Sequence, residues 1–261
     1  MASPKTCAFC RRSGKMTGEH IWSNWLEKVF GEHKYNFSRI EHDSNNKPLI
    51  TAEWRAVSVN LKAHVVCDTC NNRWMSDLET ETKAVTSEMI VNGKSRSLSV
   101  KDIVIISAFA FKTAVVVDHM NMYSKGGRRP LTGSFFRRSD RENFRKFLVF
   151  PDNVHIWLAE FREGDAASGR LRPYYFHNKT GPWKNFHFFV VSYVVGHLVF
   201  QIVCPRPAGI SWHARNFPPL VQSSEWNPRS TLIWPNRGFE VDWPPPHYLI
   251  DKAINAFAYR W

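Results

Sequence analysis

Two cysteine knuckles set far apart constrain this chain more than any other feature. "CAFC" supplies Cys7 and Cys10, and "CDTC" supplies Cys67 and Cys70. Two C-x2-C pairs offer four thiolates, the ligand set of a tetrahedral structural zinc site. The 56 residues between the pairs are too many for a compact zinc ribbon. A folded insert is therefore expected between them, and "TGEHIW", with Glu19 beside His20, lies within it. The second knuckle runs directly into "NNRWMSDLE", a polar stretch of helical composition. A metal that joins the knuckles would carry the first residue after Cys70, Asn71, toward the segment that bears His20.

The pairing of these cysteines with metal rather than with each other rests on compartment. "MASPKTCAFCRRSGK" has no apolar core of the kind a signal peptide needs, and no apolar run reaches the ~20 residues of a membrane span. A cytoplasmic chain without a membrane segment is expected, and reducing conditions favour metal thiolates over disulfides. Cys204 has no second cysteine near it in sequence and reads as a small buried hydrophobe.

Charge is unevenly spread. The formal net charge is +12. Residues 1–80 carry 11 Lys+Arg against 9 Asp+Glu, so the basic excess lies downstream of the knuckles. Residues 125–146, "KGGRRPLTGSFFRRSDRENFRK", hold 8 Lys+Arg and 2 Asp+Glu. With Phe135, Phe136 and Phe144 interleaved, this run suits contact with backbone phosphates. The candidate nucleic-acid contacts are Lys125, Arg128, Arg129, Arg137, Arg138, Arg141 and Arg145, with Arg73 beside the second knuckle. A solvated helix face is the plain alternative.

Periodicity divides the chain. Trp22, Trp25, Leu26 and Val29 recur at helical spacing after His20, and residues 32–60 read as polar and irregular. "VSVNLKAHVVC" is strand-like, and "NRWMSDLETETKAVTSEMI" predicts a helix that "NGKS" ends. A second helix follows from a Ser99 cap, and a third starts at "SDRENF" with Ser139 as cap and Glu142 three residues on. From about residue 151, "NVHIWLAEFR", "RLRPYYFHN", "FHFFVVSYVVG" and "HLVFQIVCP" read as antiparallel strands. The proline- and tryptophan-rich residues 205–247 are expected as ordered loops, and "PPPHYLIDKAINAFAYRW" to close the chain with a short helix. The expected fold class is α+β: a zinc-stabilised metal module over 1–95, a helical connector with the basic patch over 96–150, and an antiparallel β-rich domain over 151–261.

Taken together, "C-x2-C … E-H … C-x2-C-N" resembles the HNH, or ββα-metal, endonucleases. The zinc-stapled form is the nearest likeness, as in phage recombination endonuclease VII and bacterial HNH proteins. The likeness covers roughly residues 5–80. It implies that His20 is the general base and that Glu19 and Asn71 hold a catalytic Mg²⁺ or Mn²⁺. It also implies that Asn60 or His64 orients the base. The activity implied is Mg²⁺-dependent hydrolysis of phosphodiester bonds in DNA, with RNA as the other candidate, in phage defence or phage DNA metabolism. A second copy of the chain or a defence-system protein is the expected protein partner. Two other readings compete. One is a zinc-dependent nucleic-acid-binding protein without catalysis. The other is a defence-complex effector that cuts only when a partner licenses it.

Overall fold

A computed structural model describes residues 5–30, 35–42, 48–56, 61–119, 134–162, 170–178, 186–207, 230–236 and 238–250, with the strands at 35–42, 48–56 and 170–178 described by their backbone. The chain is mixed α+β with antiparallel sheets. It forms two compact units. The first comprises residues 1–87, 108–127 and 131–151, and the second residues 88–107, 128–130 and 152–261. The stretch 96–150 is divided between them.

In the first unit, β1 (Met16–His20) pairs antiparallel with β4 (Lys62–Cys67). Between them lie a short helix, α1 (Trp25–Phe30), and a hairpin of β2 (Tyr35–His42) with β3 (Pro48–Ala56). The hairpin corrects the expectation of an irregular 32–60. Its strands carry the short alternations "YNFSRI" and "LITAEW", which the intervening polar residues obscure. From Cys67 the chain turns at once into α2 (Asp68–Cys70), a π-helical turn (Asn71–Met75) and α3 (Ser76–Asn92). The second knuckle is therefore the first turn of the helical run. Arg73 breaks that turn with φ −119° and ψ −107°, outside helical geometry.

Helix α4 (Val100–His119) starts as expected. The Ser99 hydroxyl accepts from the Asp102 backbone N–H at 3.2 Å, and the Asp102 carboxylate accepts from the Ser99 N–H at 3.1 Å. Helix α5 (Arg138–Phe147) starts two residues earlier than the Ser139 cap predicted. Arg137 is its N-cap, and its N–H donates to Asp140 at 3.1 Å. An aromatic chain ties these helices to the first knuckle. Phe9 meets Trp74 at 5.1 Å, Trp74 meets Phe144 at 6.0 Å, and Phe144 meets Phe111 at 4.7 Å, all edge to face. Such pairs contribute about 0.5–1.5 kcal/mol each beyond the area they bury. Phe135, Phe136 and Phe144 are all buried. They are core and not, as expected, aromatic companions of a phosphate surface.

In the second unit, one antiparallel sheet has the order β10-β6-β9-β8-β7. Its strands are β6 (His155–Glu160), β7 (Arg170–Asn178), β8 (Phe186–Val195), β9 (Leu198–Pro207) and β10 (Ser230–Trp234). Residues 188–195 of β8 are all buried, so the strand is covered on both faces and reads as a continuous apolar run rather than an alternation. Gly196 and His197 form the turn from β8 to β9. Gly196 has φ 54°, and a Cβ there would stand 2.0 Å from the Ile90 carbonyl oxygen, so the turn requires glycine. Strands β5 (Arg96–Leu98) and β11 (Val241–Trp243) pair separately. Two strands, β10 and β11, thus lie within the 205–247 stretch expected to be loops. Cys204 is fully buried among apolar neighbours, as expected. The predicted final helix falls largely outside the described residues. No helix among the described residues is long and apolar enough to cross a membrane.

Candidate functional site

The four knuckle cysteines converge. Their sulfurs all lie within 4.8 Å of one another, and Cys10 Sγ is 3.5 Å from Cys67 Sγ. A tetrahedron of thiolates about 2.3 Å from zinc has edges of roughly 3.8 Å, so the set could hold a metal ion such as zinc. Hydrogen bonding with Cys70 lowers the pKa of the Cys7 thiol. The same bond, aided by burial, pushes the Cys70 thiol up. The first knuckle is also clasped by backbone, with Ala8 N–H donating to Val65 O at 2.8 Å and Cys7 N–H to Arg12 O at 3.0 Å. The cysteines thus hold the turn before β1 against the end of β4 and the start of α2.

Adjacent residues on a strand point to opposite faces, and Glu19 and His20 divide accordingly. Glu19 sits opposite Ala63 and points inward. Its side chain is 2% exposed, and its Oε1 accepts from Lys112 Nζ at 2.6 Å. Lys112, fully buried on α4, also donates to Glu79 Oε1 on α3 at 3.0 Å. Burial works against the Lys112 ammonium, yet Glu19 and Glu79 outweigh it, and its pKa is raised. Burial likewise raises the pKa of Glu19, against the pull of Lys112. Both directions express one fact: two carboxylates share a single cation in a desolvated place. The carboxylate expected to meet a divalent ion thus meets an ammonium here.

His20 pairs across from Lys62, on the face that also carries His64. Its Nε2 is buried and has no hydrogen-bond partner among the described residues. Burial, and after it the charge of Lys62, lowers the imidazole pKa. A neutral imidazole with a free nitrogen can accept a proton. His64 is exposed, and its Cε1 lies 3.4 Å from where a Cβ on Gly18 would stand. Gly18 thus leaves room beside His64 on the His20 face. Asn60, the other candidate to orient the base, lies outside the described residues.

Asn71 is bound to the same strand. Its Nδ2 donates to Thr17 Oγ1 at 3.1 Å, and Thr17 Oγ1 donates to Val66 O at 3.1 Å. The amide oxygen, on the other branch of the side chain, is the atom a cation would use. Asn72 is engaged elsewhere, donating to Asp68 Oδ1 at 2.6 Å. Asn71 and not Asn72 is therefore the asparagine linked to β1.

The basic residues separate. Lys125, Arg128 and Arg129 lie outside the described residues. Arg137 is the exposed cap of α5. Arg138 is exposed and pairs with Glu142 at 2.6 Å. Arg141 corrects the surface expectation: only 4% of it is exposed, and its Nη1 donates to His119 Nε2. Its place on the inner face of α5 follows from helical spacing, three residues before the fully buried Phe144. Arg73 and Arg145 line one cavity beside the second knuckle. Lys112 and Glu79 escaped the sequence reading. A lysine in the middle of "AFAFKTAVVV" was the available signal, since a buried ammonium requires a carboxylate partner. Comparison of the chain with protein-family models, with curated proteins and with solved structures found no match.

Proposed function

We propose that the first unit carries a zinc-stapled HNH-type nuclease site, and that the protein is a Mg²⁺-dependent endonuclease hydrolysing phosphodiester bonds in DNA. The observation that carries this reading is the junction itself. Four clustered cysteines join the turn before β1, the strand that ends in His20, to the helical run in which Asn71 follows the second knuckle, and Asn71 is hydrogen-bonded back to β1. A ββα arrangement of this kind, with a neutral histidine at the strand end whose Nε2 has no hydrogen-bond partner among the described residues, supports a proton-accepting role for His20.

In this reading His20 takes the proton from the attacking water. Asn71 offers a hard oxygen donor of the kind Mg²⁺ prefers and would hold the ion, and Glu19 would join it only where the ion displaces the Lys112 ammonium from its carboxylate. When bound, the ion would stabilise charge developing on the scissile phosphate. Thr17 accepts from the Asn71 amide, and Gly18 adds no side chain of its own beside Lys62 and His64 on the His20 face. The expected result is Mg²⁺-dependent cleavage of plasmid, single-stranded or branched DNA by the purified protein, abolished by chelator. Absence of cleavage with every divalent ion and every substrate removes the reading of an enzyme active alone.

The Lys112 contact favours a second reading. An ammonium already satisfies Glu19 Oε1, so the chain as it stands could bind nucleic acid without cutting, or cut only after a partner rearranges that pair. Addition of a cognate partner to an inert preparation separates the two.

The cysteine cluster makes its own prediction. Zinc is the expected metal, one per chain, because four thiolates are soft ligands. Cys67→Ser should lower the zinc content and the melting temperature together, since metal binding contributes directly to folding. Elemental analysis that finds no zinc in wild type purified without chelator contradicts this.

A further inference from the structure

We propose that a cavity beside the second knuckle is a phosphate seat for a nucleic-acid strand, formed by Arg12, Arg73, Arg145 and Thr69. The proposal rests on the nucleic-acid reading above and extends it to a place away from the histidine. The cavity, of about 420 Å³, is lined by these four residues with Cys10, Cys70 and Trp74. Three guanidiniums meet there, and no carboxylate is among the lining residues. The three come from separate parts of the sequence. Arg12 follows the first knuckle, Arg73 sits in the π-helical turn, and Arg145 is in the last turn of α5.

The Arg12 carbonyl accepts from Cys7 N–H, and the Arg12 Nη1 lies 3.4 Å from Thr69 Oγ1. Arg73 is exposed and stands at the non-helical break in the turn. Arg145 is half-buried, and its Nε is buried with no hydrogen-bond partner among the described residues. A buried guanidinium N–H without an acceptor is costly, and a phosphate oxygen would satisfy it. Three planar forks around one concavity match the several oxygens of a phosphodiester better than a single carboxylate.

Position gives the seat its role. The cavity shares Cys70 and Thr69 with the second knuckle, at the end of the strand pair where Met16 faces Cys67. His20 is at the other end, four residues along β1, roughly 13 Å at strand rise. The seat therefore holds a phosphate a few nucleotides from any bond that His20 acts on, and its loss should weaken binding rather than chemistry.

The test uses the full zinc-loaded chain and a labelled DNA duplex of ~20 base pairs. Affinity is measured from low to high salt for wild type and for Arg12→Gln/Arg73→Gln/Arg145→Gln, with zinc content assayed in both. The expected result is a slope of log affinity on log salt that falls by about one, with affinity about tenfold weaker and zinc unchanged. Unchanged slope and affinity overturn the seat and leave the arginines as solvated groups. Binding that falls only as zinc is lost also overturns it, because the arginines would then serve to offset the thiolate charge. A third arm adds millimolar inorganic phosphate against chloride of equal ionic strength. If phosphate saturates the wild-type site while the DNA slope stays the same in the variant, the cavity serves a small phosphate ligand and the strand proposal fails. Cleavage is scored separately. A wild type that binds through the seat and never cuts removes the nuclease reading alone. A wild type that cuts, beside a variant of unchanged slope, removes the seat alone.

Discussion

Lys112→Met should destabilise the first unit by about 3–5 kcal/mol, the cost of removing one partner from a buried ion pair. Methionine matches the lysine stem in length and keeps contact with apolar neighbours, so lost packing contributes little. What remains is Glu19, 2% exposed, and Glu79, 22% exposed, with no ammonium between them. The geometry explains why the effect should be large. One Nζ reaches carboxylates on β1 and α3 from the middle of α4, so the loss loosens three elements at once. Two further variants keep the claim open to failure. Glu19→Gln in the Lys112→Met background should recover part of the loss, because it removes the uncompensated charge. Mn²⁺ at millimolar concentration should also raise the melting temperature of Lys112→Met if the freed carboxylate can accept a metal, as the nuclease reading requires. A Lys112→Met protein that melts with wild type would mean that the ammonium is solvated and that the triad does not hold the unit together.

This triad marks where sequence reasoning stopped. The knuckles were legible because thiolate spacing is local: two residues between cysteines suffice to predict convergence on a metal. Asn71 was legible as a candidate because it directly follows a knuckle, and Glu19 and His20 because they lie in the insert between the knuckles. The partner of Glu19 lies 93 positions away, on a helix whose apolar periodicity conceals the lysine. Chemistry between distant elements leaves no spacing rule to read. Register gave a similar limit. The segment at Glu19–His20 reads from sequence as strand or loop alike, and which of its residues faces inward depends on the pairing with Lys62–Cys67 and on the irregularity between Thr17 and Glu19. The basic run was legible only in part. Composition counts charges without faces, and helical spacing turns Arg141 and Phe144 inward while Arg137 and Arg138 stay exposed. Arg12 was passed over because it sits in the charge-balanced N-terminal part, and only the fold brings it to Arg73 and Arg145.

His20→Ala should reduce cleavage by roughly two to four orders of magnitude, the usual range for loss of a general base. The variant should otherwise resemble wild type. The His20 Nε2 has no hydrogen-bond partner among the described residues, so removing the ring strands no buried group. The residue is half-buried at the end of β1, and its neighbours across the strand pair, Lys62 and His64, are exposed. Zinc content, melting temperature and DNA affinity should therefore stay within error of wild type, since the thiolates and the guanidiniums come from other residues. His64→Ala serves as the control on the same face. It should cost far less if His64 only orients the base, and as much as His20→Ala if the two have exchanged roles. Glu19→Ala is not a clean test of metal binding, because it also leaves Lys112 with one carboxylate instead of two. Asn71→Ala is cleaner. It removes one hydrogen bond, to Thr17, and should raise the Mg²⁺ concentration needed for half-maximal cleavage with little change in stability. A wild type that cuts DNA beside a His20→Ala variant that cuts equally fast would show that the histidine between the knuckles is not the base, whatever metal the cysteines hold.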